Sequence, residues 1–201
     1  MSDNVNRASA TSGAVPMEFA TARPDTVRAI NQRWLLKFWA QHLDGARVPR
    51  WQGVKPDDLA SMSDNLSLLN VTSGPQPRFL IRFHGKMVAQ VYGSTDCRGR
   101  HLDEVMRPER HETGLAPYVQ AARTGTPVYT IHDVTDREGR LIHFERLLLP
   151  FARDGETVDR ILASLEFVCA DGDFDARALM SGPAAAPALR LSATIEMRAM
   201  A

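Results

Sequence analysis

Residues 78–105 read RFLIRFHGKMVAQVYGSTDCRGRHLDEV, and how this stretch is read decides the fold. Phe79, Ile81 and Phe83 alternate with Leu80 and Arg82, a period of two that puts the three on one face of a strand. Gly85 ends the strand. Residues 86–92 are too few for an ordinary helix and stop at Gly93. The loop Ser94-Thr95-Asp96-Cys97-Arg98-Gly99-Arg100 then turns the chain into a second short helix at 101–106.

Working outward, Pro108-Glu109 opens a helix that runs to about Thr124 and is closed by Gly125, with Pro117 kinking or restarting it. A strand at 66–71 precedes the opening stretch, joined to it by the turn Ser73-Gly74-Pro75-Gln76-Pro77. Three strands follow the helix, at 128–135, 140–151 and 158–168, around the turns Asp136-Arg137-Glu138-Gly139 and Arg153-Asp154-Gly155-Glu156. If both hairpins are symmetric about those turns, Tyr129 opposes Arg146, Ile131 opposes Phe144, and Phe144 opposes Leu165. The face they share is then apolar, and the other carries His132, His143 and Glu166 side by side. This is the pattern of an antiparallel sheet covered on one side.

The order strand, Val-Ala-Gln-Val-Tyr-Gly, Asp, Arg-Gly-Arg-His-Leu-Asp-Glu-Val resembles the first half of a PAS domain. The later half agrees: a helix with Tyr118 near its middle, Gly125, then strands containing Leu147-Leu148-Leu149-Pro150 and Asp154-Gly155. The resemblance covers roughly residues 33–168 and is greatest to the bacterial stand-alone single-PAS proteins. It implies an α+β fold: a five-stranded antiparallel sheet, short helices on one face and an N-terminal flanking helix. It also implies a sensory or protein-interaction module of bacterial signalling, not an enzyme. Such a module lacks its own output domain and acts through dimerisation and a signalling partner, with space for a small ligand in its cavity.

Composition narrows the classes. The chain has 201 residues, room for one domain with a core plus tails, and its 24 basic residues balance 24 acidic ones. That balance argues against nucleic-acid binding, and no apolar run is long enough for membrane insertion. Two cysteines, Cys97 and Cys169, form neither a disulfide framework nor a CxxC pair, which fits a cytoplasmic setting. The expected layout is a disordered tail at 1–23, the domain with its flanking helix at 24–170, and a helix or tail at 171–201. In that last segment Asp171 to Asp175 caps a short helix through Met180, 181–188 is a Pro/Ala linker, and 189–201 is weakly amphipathic.

The flanking helix is expected at 27–43, capped by Asp25 or Thr26 and closed by Gly45. Its apolar stripe is wider than one core needs. Ile30, Trp34, Phe38 and Trp39 are therefore the expected interface of a homodimer, the alternative being a fully buried helix in a monomer. The expected ligand-binding residues are Arg146, Tyr129, Phe144, Phe83 and Tyr92. Arg146 stands out because a guanidinium on an apolar face must find an anion or several acceptors. That anion is a ligand carboxylate, with Tyr129 assisting, or an internal partner such as Glu104 or Asp103; failing both, the side chain snorkels to the sheet edge.

Other chemistry is weaker. His132, His143 and Glu166 are of zinc-ligating type but lack a dense ligand motif, so no metal is assigned. His111 lies a turn from the haem-ligating position of oxygen-sensing PAS relatives, near Leu115, which leaves a haem sensor as an alternative and the cofactor unknown. Cys97 shares only a Cys-Arg pair with the flavin-reactive loop of light sensors. A small cone-shaped α+β enzyme of isomerase or dehydratase type is the other alternative, although no catalytic motif is present.

Overall fold

The structure is a computed structural model and describes residues 17–72, 74, 76–93, 96–177, 179–180 and 187–197. Among them are seven strands: β1 (Ala20–Ala22), β2 (Leu66–Val71), β3 (Phe79–His84), β4 (Val128–Thr135), β5 (Leu141–Ala152), β6 (Val158–Cys169) and β7 (Ala188–Ile195). They form one sheet in the order β1-β7-β4-β5-β6-β2-β3. The run from β4 to β3 is the five-stranded antiparallel sheet anticipated from sequence. Two strands extend it. β7 pairs antiparallel with β4, and β1 pairs parallel with β7.

The added strands correct the reading of both ends. Residues 20–22 and 188–195 are strands rather than parts of mobile or helical tails. Asp171 to Met180 forms turns rather than a helix among its described residues. The disorder expected for 1–16 and the linker at 181–186 lie outside the described residues.

Both faces of the sheet are covered, not one. β5 is buried at ten of its twelve positions, as its run Leu147-Leu148-Leu149-Pro150-Phe151 requires of a strand packed on both sides. One face meets α3 (Lys86–Val91), α4 (Leu102–Val105) and α5 (His111–Thr124) through Ile81, Val88, Tyr118, Phe144, Leu148 and Leu165. The other meets α1 (Ile30–Gln41), α2 (Pro56–Leu59) and the 3-10 turn Ala60–Asn65 through Leu35, Leu36, Trp39, Leu66, Leu147, Phe151 and Leu162.

α1 begins at Ile30, three residues later than expected. Asp25 pairs instead with Arg23 at 2.6 Å, and residues 24–26 form a 3-10 turn. α5 runs through Pro117 and ends at Gly125, whose φ of +67° makes it a left-handed cap.

The hairpin registers differ from the symmetric ones. Tyr129 opposes Leu147, Thr130 opposes Arg146 and His132 opposes Phe144; across the next pair, Phe144 opposes Phe167 and Arg146 opposes Leu165. The first loop has five residues because Asp136 organises it, accepting from the backbone N–H of Glu138 and Arg140 at 2.9 Å each. In the second, Asp154 accepts from the N–H of Glu156 and Thr157, and a bulge precedes it at Phe151/Ala152. One added residue in the first loop moves Tyr129 to the α1 face, opposite to Arg146.

Phe83 also changes face. The β2–β3 register shifts between Leu68 and Leu69, which oppose Phe83 and Ile81, so Arg82 bulges and Phe83 no longer shares the side of Ile81.

A basic cavity between the sheet and α5

Alternation along β4 and β5 sends Thr130, His132, Phe144 and Arg146 to the side of α5. His132, Phe144 and Arg146 floor a cavity of about 210 Å³, closed by Tyr92 after α3, Met106 and Arg107 after α4, and the first turn of α5. Arg146 is only 3% exposed. Its Nε donates to Thr130 Oγ1 at 3.3 Å and its Nη1 to the Gly114 carbonyl at 3.2 Å. The guanidinium carbon lies 5.2 Å from the Tyr118 ring centre and 5.6 Å from that of Phe144, within cation–π range.

Neither internal partner expected for Arg146 is there. Asp103 and Glu104 both pair with Arg78, at 2.9 Å each. Nor does Arg146 snorkel; among the described residues it is a buried cation held by two neutral acceptors and two ring faces.

His132 stands beside it on β4, opposite Phe144. Burial, and then the charge of Arg146, push its pKa down to about 3, against a weaker upward pull from Asp133. The imidazole is therefore neutral, and its Nδ1 is buried with no hydrogen-bond partner. Tyr92 is held neutral as well, its pKa raised chiefly by burial. At the mouth Arg110 is half-buried and has its pKa lowered, first by burial and then by Arg107.

Three of the five ligand-binding residues expected from sequence thus meet: Arg146, Phe144 and Tyr92. Tyr129 lies across the sheet, its hydroxyl donating to Glu145 Oε2 at 2.7 Å and accepting from the Arg28 N–H at 3.3 Å. Phe83, 40% exposed, lines a separate apolar groove with Trp51, Leu59 and Leu162. The cavity residue that the sequence reading did not place beside Arg146 is His132, which the symmetric register put on the other face. Counting one more residue into the Asp136 loop would have found it.

The remaining sequence candidates separate. His143 pairs with Asp133 at 2.8 Å, and Glu166 accepts from Asn31 and Asn65, both on the α1 side. No cluster of metal-ligating residues occurs among the described residues. His111 bonds the Met106 carbonyl at 3.2 Å and does not line the cavity. Its volume is also below the roughly 300–1,000 Å³ of drug-sized sites, so any occupant is small.

Of the interface residues expected on α1, Ile30 and Trp34 point outward, 76% and 43% exposed. Phe38 is covered by stacking on Trp34 at 5.2 Å and by the tilted ring of His42 at 4.2 Å. Trp39 faces the sheet, 2% exposed, and its Nε1 donates to the Pro150 carbonyl at 2.6 Å.

A second neutral imidazole supports a pH prediction. Burial lowers His84 to about 4, against smaller upward pulls from the Val88 backbone and then from Asp96. In the unfolded chain both histidines take up protons near the ordinary 6.5; folded, they stay neutral until about 4 and about 3. The unfolded state therefore binds more protons below pH 6.5, and stability falls as the pH drops from 6.5 towards 4. Each histidine contributes at most about 1.4 kcal/mol per pH unit. Glu166, whose pKa burial raises, opposes this at the acid end. Denaturation midpoints for the protein and for His84→Gln and His132→Gln at pH 7 and 5 check it. Each variant should flatten the slope; an unchanged slope in both rejects the assignment.

The architecture is a mixed sheet with helices on both faces, α3 to α5 over a small cavity on one and α1 and α2 on the other. The chain belongs to the PAS domain family, whose model matches residues 27–166. Members of that family are typically sensory rather than catalytic and commonly mediate protein interactions. No curated protein matches the chain. Among the described residues no helix is long and apolar enough to cross a membrane.

Proposed function

We propose that this chain is a sensory module of bacterial signalling in which a small ligand in the Arg146 cavity biases the seating of α1. Through α1 the chain contacts a second copy or a signalling partner. One observation carries the reading: β5 sends neighbouring residues to the two sites. Arg146 enters the cavity, while Glu145 lies under α1. There Gln32 donates to the carbonyls of Glu145 at 3.2 Å and Ser164 at 3.1 Å, and Tyr129 ties Glu145 to the backbone at Arg28.

This latch is incompletely satisfied. Gln32 Oε1 and Ser164 Oγ are buried with no partner, so the seated helix carries a polar penalty of about 1–3 kcal/mol per orphaned group. A packing held by such a margin is one a ligand's differential affinity can shift. Two thiol cysteines fit a cytoplasmic setting.

Ile30 and Trp34 supply the outward face. Trp34→Glu is expected to leave the fold intact and turn a dimer into a monomer in sedimentation. A wild-type protein that is already monomeric and binds no partner would reject the output side. Hydrogen exchange at the amides of α1 tests the input side: filling the cavity by Gly114→Leu, where the substituent meets the flexible Met106 side chain, should change α1 exchange. Unchanged exchange in a folded variant would break the link between the sites.

A further inference from the structure

We propose that α1 is seated with a proton: Glu166 is held under the helix as the neutral acid, opposite the Glu145 carboxylate, and gives the proton up when α1 lifts. This adds pH as a second input to the α1 output and rests on that reading for its part in signalling. The proton itself is tested separately.

The sheet sets two carboxyl groups against each other. Glu145 on β5 and Glu166 on β6 are register partners, and both side chains lie on the α1 face. Directly opposed like charges destabilise a strand pair. No cation relieves them among the described residues. Glu145, 4% exposed, accepts from the Tyr129 hydroxyl on β4, and Glu166 accepts from the neutral amides of Asn31 and Asn65. The neighbouring charges are engaged or turned to water. His143, next on this face of β5, pairs with Asp133, which also takes Arg190; Arg28, Arg33, Lys37 and Asp64 are exposed. The first turn of α1 brings only about half a positive charge, enough to offset part of one carboxylate.

Gln32 shows what the seat lacks. It is wholly buried and uses its Nε2–H groups on the carbonyls of Glu145 and Ser164, which leaves Oε1 an acceptor without a donor. A carboxylate has no hydrogen to offer such a group, whereas a carboxyl has its O–H. Of the two Glu166 oxygens Oε1 is the freer, because its bond from Asn31 is long at 3.4 Å while Asn65 holds Oε2 at 3.0 Å. A proton on Oε1 removes the opposed charge and brings a donor to the seat. Burial is the largest influence on Glu166 and raises its pKa; Asn31 and Asn65 pull it back, and the Glu145 charge raises it again. With α1 lifted, Glu166 meets water and returns to the ordinary 4.5. Seating therefore takes up a proton, and it strengthens as the pH falls from the raised value towards 4.5.

In the full chain with carbon-13 in the glutamate carboxyls, the Glu166 carbon, assigned by its loss in Glu166→Gln, should titrate above 4.5. Amide exchange reads the seating. Between pH 7 and 5, protection across α1 should rise by up to about tenfold per pH unit, the limit for one proton. It is taken relative to α5, so that the effect of the buried histidines on the whole fold cancels. Glu166→Gln places a neutral group of nearly the same shape, with N–H donors, in the seat. It should hold α1 at least as firmly as the wild type at pH 7 and remove the pH dependence.

A Glu166 carboxyl that titrates at or below 4.5 would overturn the proposal. So would a pH dependence that survives in the folded Glu166→Gln protein, or an α1 that exchanges faster in it at pH 7. The sensory reading stands or falls separately, at a single pH, on α1 exchange in the Gly114→Leu protein, which leaves Glu166 unchanged.

Discussion

Replacing Trp39 by alanine lowers the unfolding free energy by about 3–5 kcal/mol, the range for deleting a large buried aromatic. Trp39 is 2% exposed within the cluster of Leu35, Leu36, Leu147 and Phe151, so its loss opens a cavity at the centre of the α1 layer. Its Nε1–H is also the donor to the Pro150 carbonyl. Trp34→Ala, five residues earlier and facing outward, should cost well under 1 kcal/mol in a monomer, roughly the range of surface substitutions. Urea unfolding followed by circular dichroism measures both. Similar losses in the two variants would mean that α1 does not dock by the face described here.

Gly85→Ala is the second large effect, and its cause is space. Gly85 has an ordinary φ of −67°, which alanine adopts without strain. A Cβ there, however, would overlap the carbonyl oxygens of Ser63 and Asp64 and lie 2.6 Å from the Asp64 carbonyl carbon. These are backbone atoms of the 3-10 turn Ala60–Asn65, with no side chain to swing aside. The turn is pinned to this spot because the Gly85 N–H donates to the Leu66 carbonyl at 2.8 Å. The expected cost is about 3 kcal/mol, the upper part of the range for overpacking. Gly139→Ala is a useful contrast: φ is +83° and nothing lies within 4 Å, so its penalty is backbone strain alone, about 1–2 kcal/mol. A smaller loss at Gly85 than at Gly139 would contradict the close approach.

Much of this architecture was legible because its signals are local. The period of two in β4 to β6, the cap at Gly125 and the broad stripe of α1 each name an element without reference to a distant one. Arg146 was legible for a similar reason, since a lone guanidinium among Phe144, Leu148 and Ile142 is a conflict visible in the string itself. Partnership across strands was not. Whether Tyr129 or His132 stands with Arg146 depends on a single residue in the Asp136 loop, and the side-chain bonds that lengthen that loop leave no mark in the periodicity. β7 was recoverable: Leu189, Leu191, Ala193 and Ile195 alternate with polar residues, but the Pro/Ala run before them suggested a tail.

The pairing of β1 with β7 joins Ala20 to Ala193, positions 173 apart in the chain, and β7 in turn joins the edge of β4. Contacts so distant in sequence form late, because the intervening chain must be ordered before they close. As the chain leaves the ribosome, β4 is made about sixty residues before the strand that covers it. For that interval its outer N–H and C=O groups are unpaired, the kind of edge that recruits strands from other molecules. A chain cut short before residue 188 keeps that edge open permanently. Such a truncation would therefore be lost to aggregation, even though most of the core and the whole of β4 to β6 would be present.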